Sequence, residues 1–507
     1  MKTKIAIFWP GDYRTKPNEL ALPQITEATA QLQKALKRLG RPCYRVEGFI
    51  AKPHEAIEKL GPIDDPMIGL CVHWFYGPNT TDGVAGKDNP LLLASNFSGT
   101  WPGLVGLLNT GACLESIGRR FSRAWTSAKN WTADKAFMER LDRWCSTGAV
   151  AYPEDEVSYH APISPEAARR AQRVLEAIRR RRVLALMLGD TSMGMINGYF
   201  GPRLLGPIGF AEHKVDQAWI IDRGRRISSR RIEDALKFVN EKGVEFHYRR
   251  RGEEDFDENA TREQLRDYLA VLDMAGEFKA DCIGWQYQLG LLPLRPPSDF
   301  AEGLLNSVCR PESDGDTLAT STEADQGNLV PMELMKRLLK AKGLHQAVIF
   351  HDVRWGHEYG GRFVWVLLNS GSSAAYAFNH DPRTLKGVHS YRQPAGYFPI
   401  PGGTFAGESL PGRITWARAY IKDGALWMDV GAGEVVKLPR QVRERWWNGT
   451  TRQWPFMAAY LGVSRDTLMA HYLSNHIAVA YGDIFGEMAA LSQSLGFRVR
   501  ILGTRGK

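Results

Sequence analysis

Apolar residues in the first part of the chain fall into short continuous runs separated by stretches of helical spacing. Lys4–Pro10 (KIAIFWP), Met67–Gly77 (MIGLCVHWFYG) and Pro90–Ser95 (PLLLAS) are such runs, and they read as buried strands. Helical patterns stand between them: from about Pro23 to Leu39, stopped by Gly40, then near Pro53–Leu60, then from about Gly103. Strand–helix alternation predicts a parallel sheet with helices on both faces. Ligands of such sheets bind beyond the carboxyl ends of the strands. The loops after KIAIFWP and after MIGLCVHWFYG are such ends, which makes Arg14 and Trp74 candidates for a site.

The pattern pauses at Tyr159–Arg170 (YHAPISPEAARR), where two prolines precede an Ala- and Arg-rich helix, a boundary signal. It restarts at Val183–Pro202 with an apolar strand and a Gly-rich loop, which is neither GxGxxG nor a Walker sequence. A helix is expected over Arg262–Phe278 and a strand in Ala280–Gly290, with Gln286 and Gln288 at alternate positions on one face.

Ser321–Trp355 reads as turn, helix, turn and strand. Pro331 suits a first helical turn. Leu334 and Leu338, like Met335 and Leu339, recur at i, i+4, and Gly343 suits the stop. Ala347–Phe350 is a short buried strand, with Asp352 just past its end and Glu323 before the helix. Such a unit would bring two carboxylates to one edge, where they hold a divalent cation or move a proton. On spacing alone, both also read as solvated loop acids. Beyond Asp352 the sequence turns β-rich, with a D-G hairpin signal in IKDGALWMDV, and the stretch from PFMAAYLG to LSQSLGF reads as a final helical region. The expectation is α/β: two Rossmann-like parallel-sheet domains over 1–165 and 166–345, then a mostly antiparallel, barrel-like domain over 346–507 with terminal helices.

The length of 507 residues fits about two to four domains. No apolar run of about 18 residues suggests a membrane span, and Pro10 and Gly11 break the first apolar run, which reads as a strand and not a signal peptide. The six cysteines are scattered without a CxxC pair, which predicts a reducing cytoplasm. The net charge of +9 is dispersed, and no nucleic-acid module accompanies it, so no nucleic-acid partner is expected. His471 and His476 do not have the HExxH spacing, and no GxSxG serine motif is present.

Taken together, GWQYQ (Gly284–Gln288), FAEGLLNS (Phe300–Ser307), TEADQGN (Thr322–Asn328), FHDVR (Phe350–Arg354), LLNSGSSA (Leu367–Ala374) and MAHYLSNH (Met469–His476) resemble segments of the L-fucose isomerase family in the family's order. The resemblance implies an Mn²⁺-dependent ketol isomerase (Mg²⁺ or Co²⁺ being other fitting ions) acting on a free monosaccharide through an ene-diol. It implies Glu323, Asp352 and His476 as metal ligands, with Glu323 and Asp352 also as base and acid. It implies Gln286, Tyr397, Trp454 and Asn475 as substrate residues. It also implies a hexamer in which Arg14 and Trp74 reach a neighbouring subunit's site. The family's DVRTYW reads DVRWGH here, so a modified or acidic sugar is an alternative substrate, and an inactive sugar-binding protein an alternative function.

Overall fold

In the computed structural model, which describes residues 4–96 and 103–503, two parallel sheets stand against a closed barrel. The first sheet is built of β1 (Ile5–Pro10), β2 (Cys43–Ile50), β3 (Met67–Cys71), β4 (Leu91–Asn96) and β5 (Ser122–Thr126). Its order is β2-β1-β3-β4-β5, parallel throughout. β1, β3 and β5 are buried along their whole length, as cover by helices on both faces requires. One helix, Thr15–Arg38, begins earlier than its pattern suggested and runs through Pro23. Pro23 and Glu19 lie on the exposed face, so water can serve the carbonyl that the proline leaves without its helical donor.

A two-residue strand, β6 (Val157–Ser158), precedes the middle of the chain. There β7 (Val183–Leu188), β8 (Phe210–Val215), β9 (Glu245–Phe246), β10 (Cys282–Trp285) and β11 (Ala319–Thr322) follow in turn. All but β9 form the second sheet, order β11-β10-β7-β8, again parallel. The helix Gln326–Ala341 then packs Leu334, Met335 and Leu338 into a core shared by this sheet and the barrel. It starts before Pro331, because the Asp325 carboxylate caps it by accepting from the Gly327 N–H at 2.8 Å.

The remaining strands are β12 (Val348–Tyr359), β13 (Arg362–Leu368), β14 (His389–Ser390), β15 (Gly412–Lys422), β16 (Ala425–Val435), β17 (Met457–Tyr460), β18 (His476–Tyr481) and β19 (Arg498–Leu502). The ring β12-β13-β17-β16-β15-β18 closes on itself with every pair antiparallel. β19 adds to β16, and β6 to β19. At the D-G turn between β15 and β16, Asp423 (φ 51°) and Gly424 (φ 67°) are both left-handed, as a two-residue I′ hairpin requires.

Two expectations change here. Asp352 lies inside a long β12, beside a bulge between Val353 and Trp355, and not beyond a short strand. The last region is not wholly helical, because β17, β18 and β19 run through it. In β18, Ile477, Val479 and Tyr481 pack into one core while Ala478 and Ala480 pack into another. A strand covered on both faces is a continuous apolar run, which periodicity does not separate from a buried helix.

The first sheet is fastened to the barrel of its own chain. The buried Arg123 guanidinium of β5 donates to the carbonyls of Met469 (3.2 Å) and Tyr472 (2.7 Å). Trp125 Nε1 donates to Asp466 at 3.0 Å, and Arg140 pairs with the same carboxylate at 2.9 Å. All six cysteines are unpaired. Among the described residues no helix is long and apolar enough to cross a membrane.

Candidate functional site

Each parallel sheet has a point where its strand order reverses, between β1 and β3 in the first and between β7 and β10 in the second. Crevices open at the carboxyl ends of strands at such points. The first sheet contributes Asp12 and Arg14 after β1 and His73 and Trp74 after β3, and the second contributes Met193, Gln288 and Glu323. From the barrel come Asp352 and Arg354 of β12 and Asn475 and His476 at the head of β18. Together they line one cavity of about 220 Å³.

Asp352 and His476 are opposite each other in the β12–β18 ladder. His476 Nδ1 lies 2.6 Å from Asp325, which also pairs with the fully buried guanidinium of Arg418. With the ring proton held at Nδ1, Nε2 turns its lone pair into the cavity. There it lies 3.5 Å from a Glu323 oxygen and 3.3 Å from an Asp352 oxygen. Asn475 Nδ2 is 3.4 Å from the same Asp352 oxygen, so it helps to hold that carboxylate.

Glu323 reaches this position through a strained turn. Glu323 (φ 60°) and Ala324 (φ 52°) are consecutive left-handed residues without being glycine, at a cost of roughly 1–2 kcal/mol each. Two backbone bonds hold the turn: Ala324 N–H donates to the Trp285 carbonyl (3.1 Å) and Ser192 N–H to the Glu323 carbonyl (3.0 Å). Met193, Tyr287 and Leu289 are also left-handed, so the strain gathers along the carboxyl edge of the second sheet.

Charge divides the buried acids. Burial pushes the Glu323 carboxyl well above its usual range, and repulsion from Asp352, Asp325 and Glu302 adds to the effect. Burial also raises Asp352, although His476 and Arg354 pull it back. Asp325 is buried too, but Arg418 and His476 outweigh that and hold it at about 2. The cavity therefore faces two carboxylates and an imidazole lone pair without a fixed cation of the chain paired to Glu323. Two hard oxygens and one imidazole are a donor set that fits a Mn²⁺-type ion. Among the described residues, the one group of three such side chains with all ligand atoms within 4.8 Å of each other lies elsewhere, at Glu245, His247 and His389.

Of the other residues nominated from sequence, Arg14, Trp74, Tyr397, Trp454 and Asn475 all line the cavity. Arg14 is committed to Asp12 by two bonds of 3.0 and 2.7 Å and lies over the Tyr397 ring at 5.4 Å. Trp74 Nε1 is buried without a partner, and Trp454 Nε1 donates to Gln393 at 2.7 Å. Gln286 is not on the wall: its Oε1 accepts from the Asp190 N–H at 2.8 Å and its Nε2 donates to the Gln288 carbonyl at 3.3 Å. β10 ends at Trp285 and Tyr287 is left-handed, so the two glutamines do not share a strand face, and it is Gln288 that reaches the cavity. Arg14 and Trp74 line the cavity of their own chain.

Sequence reasoning missed Asp12, His73 and Asp325. Asp12 and His73 stand in GDYR and HWFYG, beside the residues that were chosen. His73 is a neutral imidazole, pushed down to about 3 by burial, with Nε2 2.9 Å from Asn18 Oδ1.

Residues 367–502, from within β13 to the end of β19, match the family described as L-fucose isomerase, C-terminal domain. This stretch belongs to the L-fucose isomerase family. The match is to a family of sugar isomerases and covers this C-terminal stretch of the chain. No curated protein matches the chain. Tyr397, Trp454, Asn475 and His476 lie inside the isomerase match, whereas Arg14, Trp74, Glu323 and Asp352 come from parts of the chain outside it.

Proposed function

We propose that the protein is a divalent-metal-dependent ketol isomerase that interconverts a free aldose and ketose through an ene-diol. The carrying observation is His476 Nε2 at 3.5 and 3.3 Å from the carboxylates of Glu323 and Asp352, where three structural units meet. Glu323, Asp352 and His476 would hold the ion, with Mn²⁺ the first choice and Mg²⁺ or Co²⁺ as substitutes. When bound, the cation polarises the sugar's oxygens and stabilises the negative charge that builds on them.

The rest is carried by the chain. One of the two carboxylates removes the proton from C2 of the aldose, and the electron pair left behind forms the C1–C2 double bond while the carbonyl oxygen gains a proton. Loss of the O2 hydroxyl proton then makes the ketone at C2, and a proton delivered to C1 completes the exchange without net oxidation. Asp325 keeps the His476 proton at Nδ1. Arg14, Trp74, Tyr397 and Trp454 enclose the sugar, and Gln288 and Trp74 offer polar atoms without intramolecular partners. A homo-oligomer, a hexamer by the family resemblance, remains part of the proposal, with each chain holding its own complete pocket.

A second reading, a sugar acid as substrate, is favoured by Arg354. It faces the cavity, stacks over Trp454 at 5.4 Å and makes no ion pair among the described residues. A carboxylate on the substrate would complete it. Screening neutral aldoses, ketoses and uronic acids with added Mn²⁺ separates the readings. Turnover of neutral sugars that survives Arg354→Gln supports the first, and uronic-acid turnover lost in Arg354→Gln supports the second. Sugar binding without turnover of any substrate would reject both in favour of a non-catalytic binder.

A further inference from the structure

Away from the cavity, β9 and β14 make a two-stranded parallel sheet that joins the middle of the chain to the segment threading into the barrel. Glu245 and His389 are register partners in this sheet. His247 N–H extends the ladder to the Ser390 carbonyl at 2.9 Å. Residues 245 and 247 point to the same face, since they are two apart, so the ladder gathers one carboxylate and two imidazoles. His389 Nδ1 lies 3.2 Å from His247 Nε2 and 3.3 Å from a Glu245 oxygen, and all three ligand atoms fall within 4.8 Å of each other.

We propose that Glu245, His247 and His389 form a second divalent-cation site, of the zinc class, that is separate from the sugar cavity. Ligand–ligand distances provide the main argument. Tetrahedral bonds of ~2.0–2.1 Å place ligand atoms ~3.3 Å apart, which is the spacing of both measured pairs. Two imidazoles and one carboxylate, with a fourth position open to solvent, are a zinc donor set. The His247 ring is already fixed, stacked on Tyr391 with centroids 4.1 Å apart and planes 8° from parallel. Arg250, over the Tyr391 ring at 5.4 Å, and Arg452 are the positive charges nearby, and Glu245 is the one that opposes them within the set.

A cation here would staple a seam that leads to the cavity wall. From β14 the chain runs to Arg392, which donates to the Phe398 carbonyl at 2.7 Å, and to Gln393, which holds Trp454. The inference does not depend on the reading of the cavity.

The test uses the full-length protein, stripped with chelator and titrated with Co²⁺ alone. Intense visible d–d absorption of a four-coordinate ion should saturate at one equivalent per chain, persist in Glu323→Gln, and vanish in His247→Gln. Zn²⁺ should displace it and raise the melting temperature. Glu245→Gln removes only an exposed carboxylate, so it cannot fail for want of folding, and it should weaken Co²⁺ affinity at least about tenfold. Equal Co²⁺ affinity and equal spectra in the parent and Glu245→Gln would overturn the proposal and leave the three side chains as a hydrogen-bonded cluster.

Discussion

Asp325 and Glu323 stand two residues apart in one turn, both buried and both beside the His476 ring, yet they behave in opposite ways. On the Nδ1 side of the imidazole, Asp325 has Arg418 beside it and accepts the ring N–H, and it stays ionised down to about pH 2. On the Nε2 side, Glu323 shares its space with Asp352 and is pushed toward protonation. The positive charge nearest in kind, Arg14, is already bound to Asp12 by two bonds. Burial is common to both acids. What separates them is whether the chain supplies a fixed cation. A buried acid given one is scaffold, while a buried acid denied one is available to a ligand or a proton.

The largest effect should come from Glu323→Gln. Isomerase turnover is expected to fall about a thousandfold, while the metal-free variant melts at or above the parent's temperature because a buried repulsion is gone. A clear drop in melting temperature would mean that Glu323 is scaffold as well and would break the contrast. Asp325→Asn should do the reverse to stability. It leaves Arg418 buried without its counter-charge, a loss of about 3–5 kcal/mol in urea unfolding. A loss under ~1 kcal/mol would show that Asp325 is not structural.

Of the acids around His476, Mn²⁺ should act on Glu323 and Asp352 and not on Asp325. Mn²⁺ at about one hundred times its dissociation constant should stabilise the parent by about 2.7 kcal/mol, and the gain should disappear in Glu323→Gln. Chelation should reverse it in the parent, as read from melting curves.

The smallest effect is on pH dependence. The folded pKa of Asp325 is depressed from 3.8 to about 2. Its contribution, about 2 kcal/mol, is therefore complete above the unfolded value and lost as the pH falls from about 4 to about 2. The stability gap between parent and Asp325→Asn should narrow over that window. Glu323 has a raised folded pKa, so its charge penalises the folded metal-free protein as the pH rises above the ordinary carboxyl range. The advantage of Glu323→Gln should accordingly grow with pH above about 4.5.

The alternation of strands and helices made both parallel sheets legible, and the D-G pair marked the β15–β16 hairpin. β18 was hidden because apolar cover on both faces removes the period-two signal. The starts of the helices at Pro23 and Pro331 were misjudged because exposure of one proline and an Asp325 cap before the other outweighed local preference. Glu323, Asp352 and His476 were nominated by chemistry and resemblance, and the structure brings their side chains to within 3.5 Å of Nε2. The partners that give them their character were not readable. Arg418 lies 93 residues from Asp325, and Arg123 lies 346 residues from Met469. No periodicity encodes contacts at that range. Gln286 was nominated by the resemblance, and the strand that would have set both glutamines on one face ends at Trp285.

Asp352 and His476 face each other across one rung of a ring of strands that has no free end, so their separation cannot adjust by sliding. Glu323 rides on a short left-handed turn belonging to another sheet. The arrangement works as a calliper with one jaw fixed and one jaw sprung. If an ion is gripped there, its radius is gauged by the sprung jaw, and preference among Mg²⁺, Mn²⁺ and Co²⁺ is written in Glu323, Ala324 and the Ser192 amide that steadies them. Substitutions in that turn should change which ion is chosen before they change whether one is held.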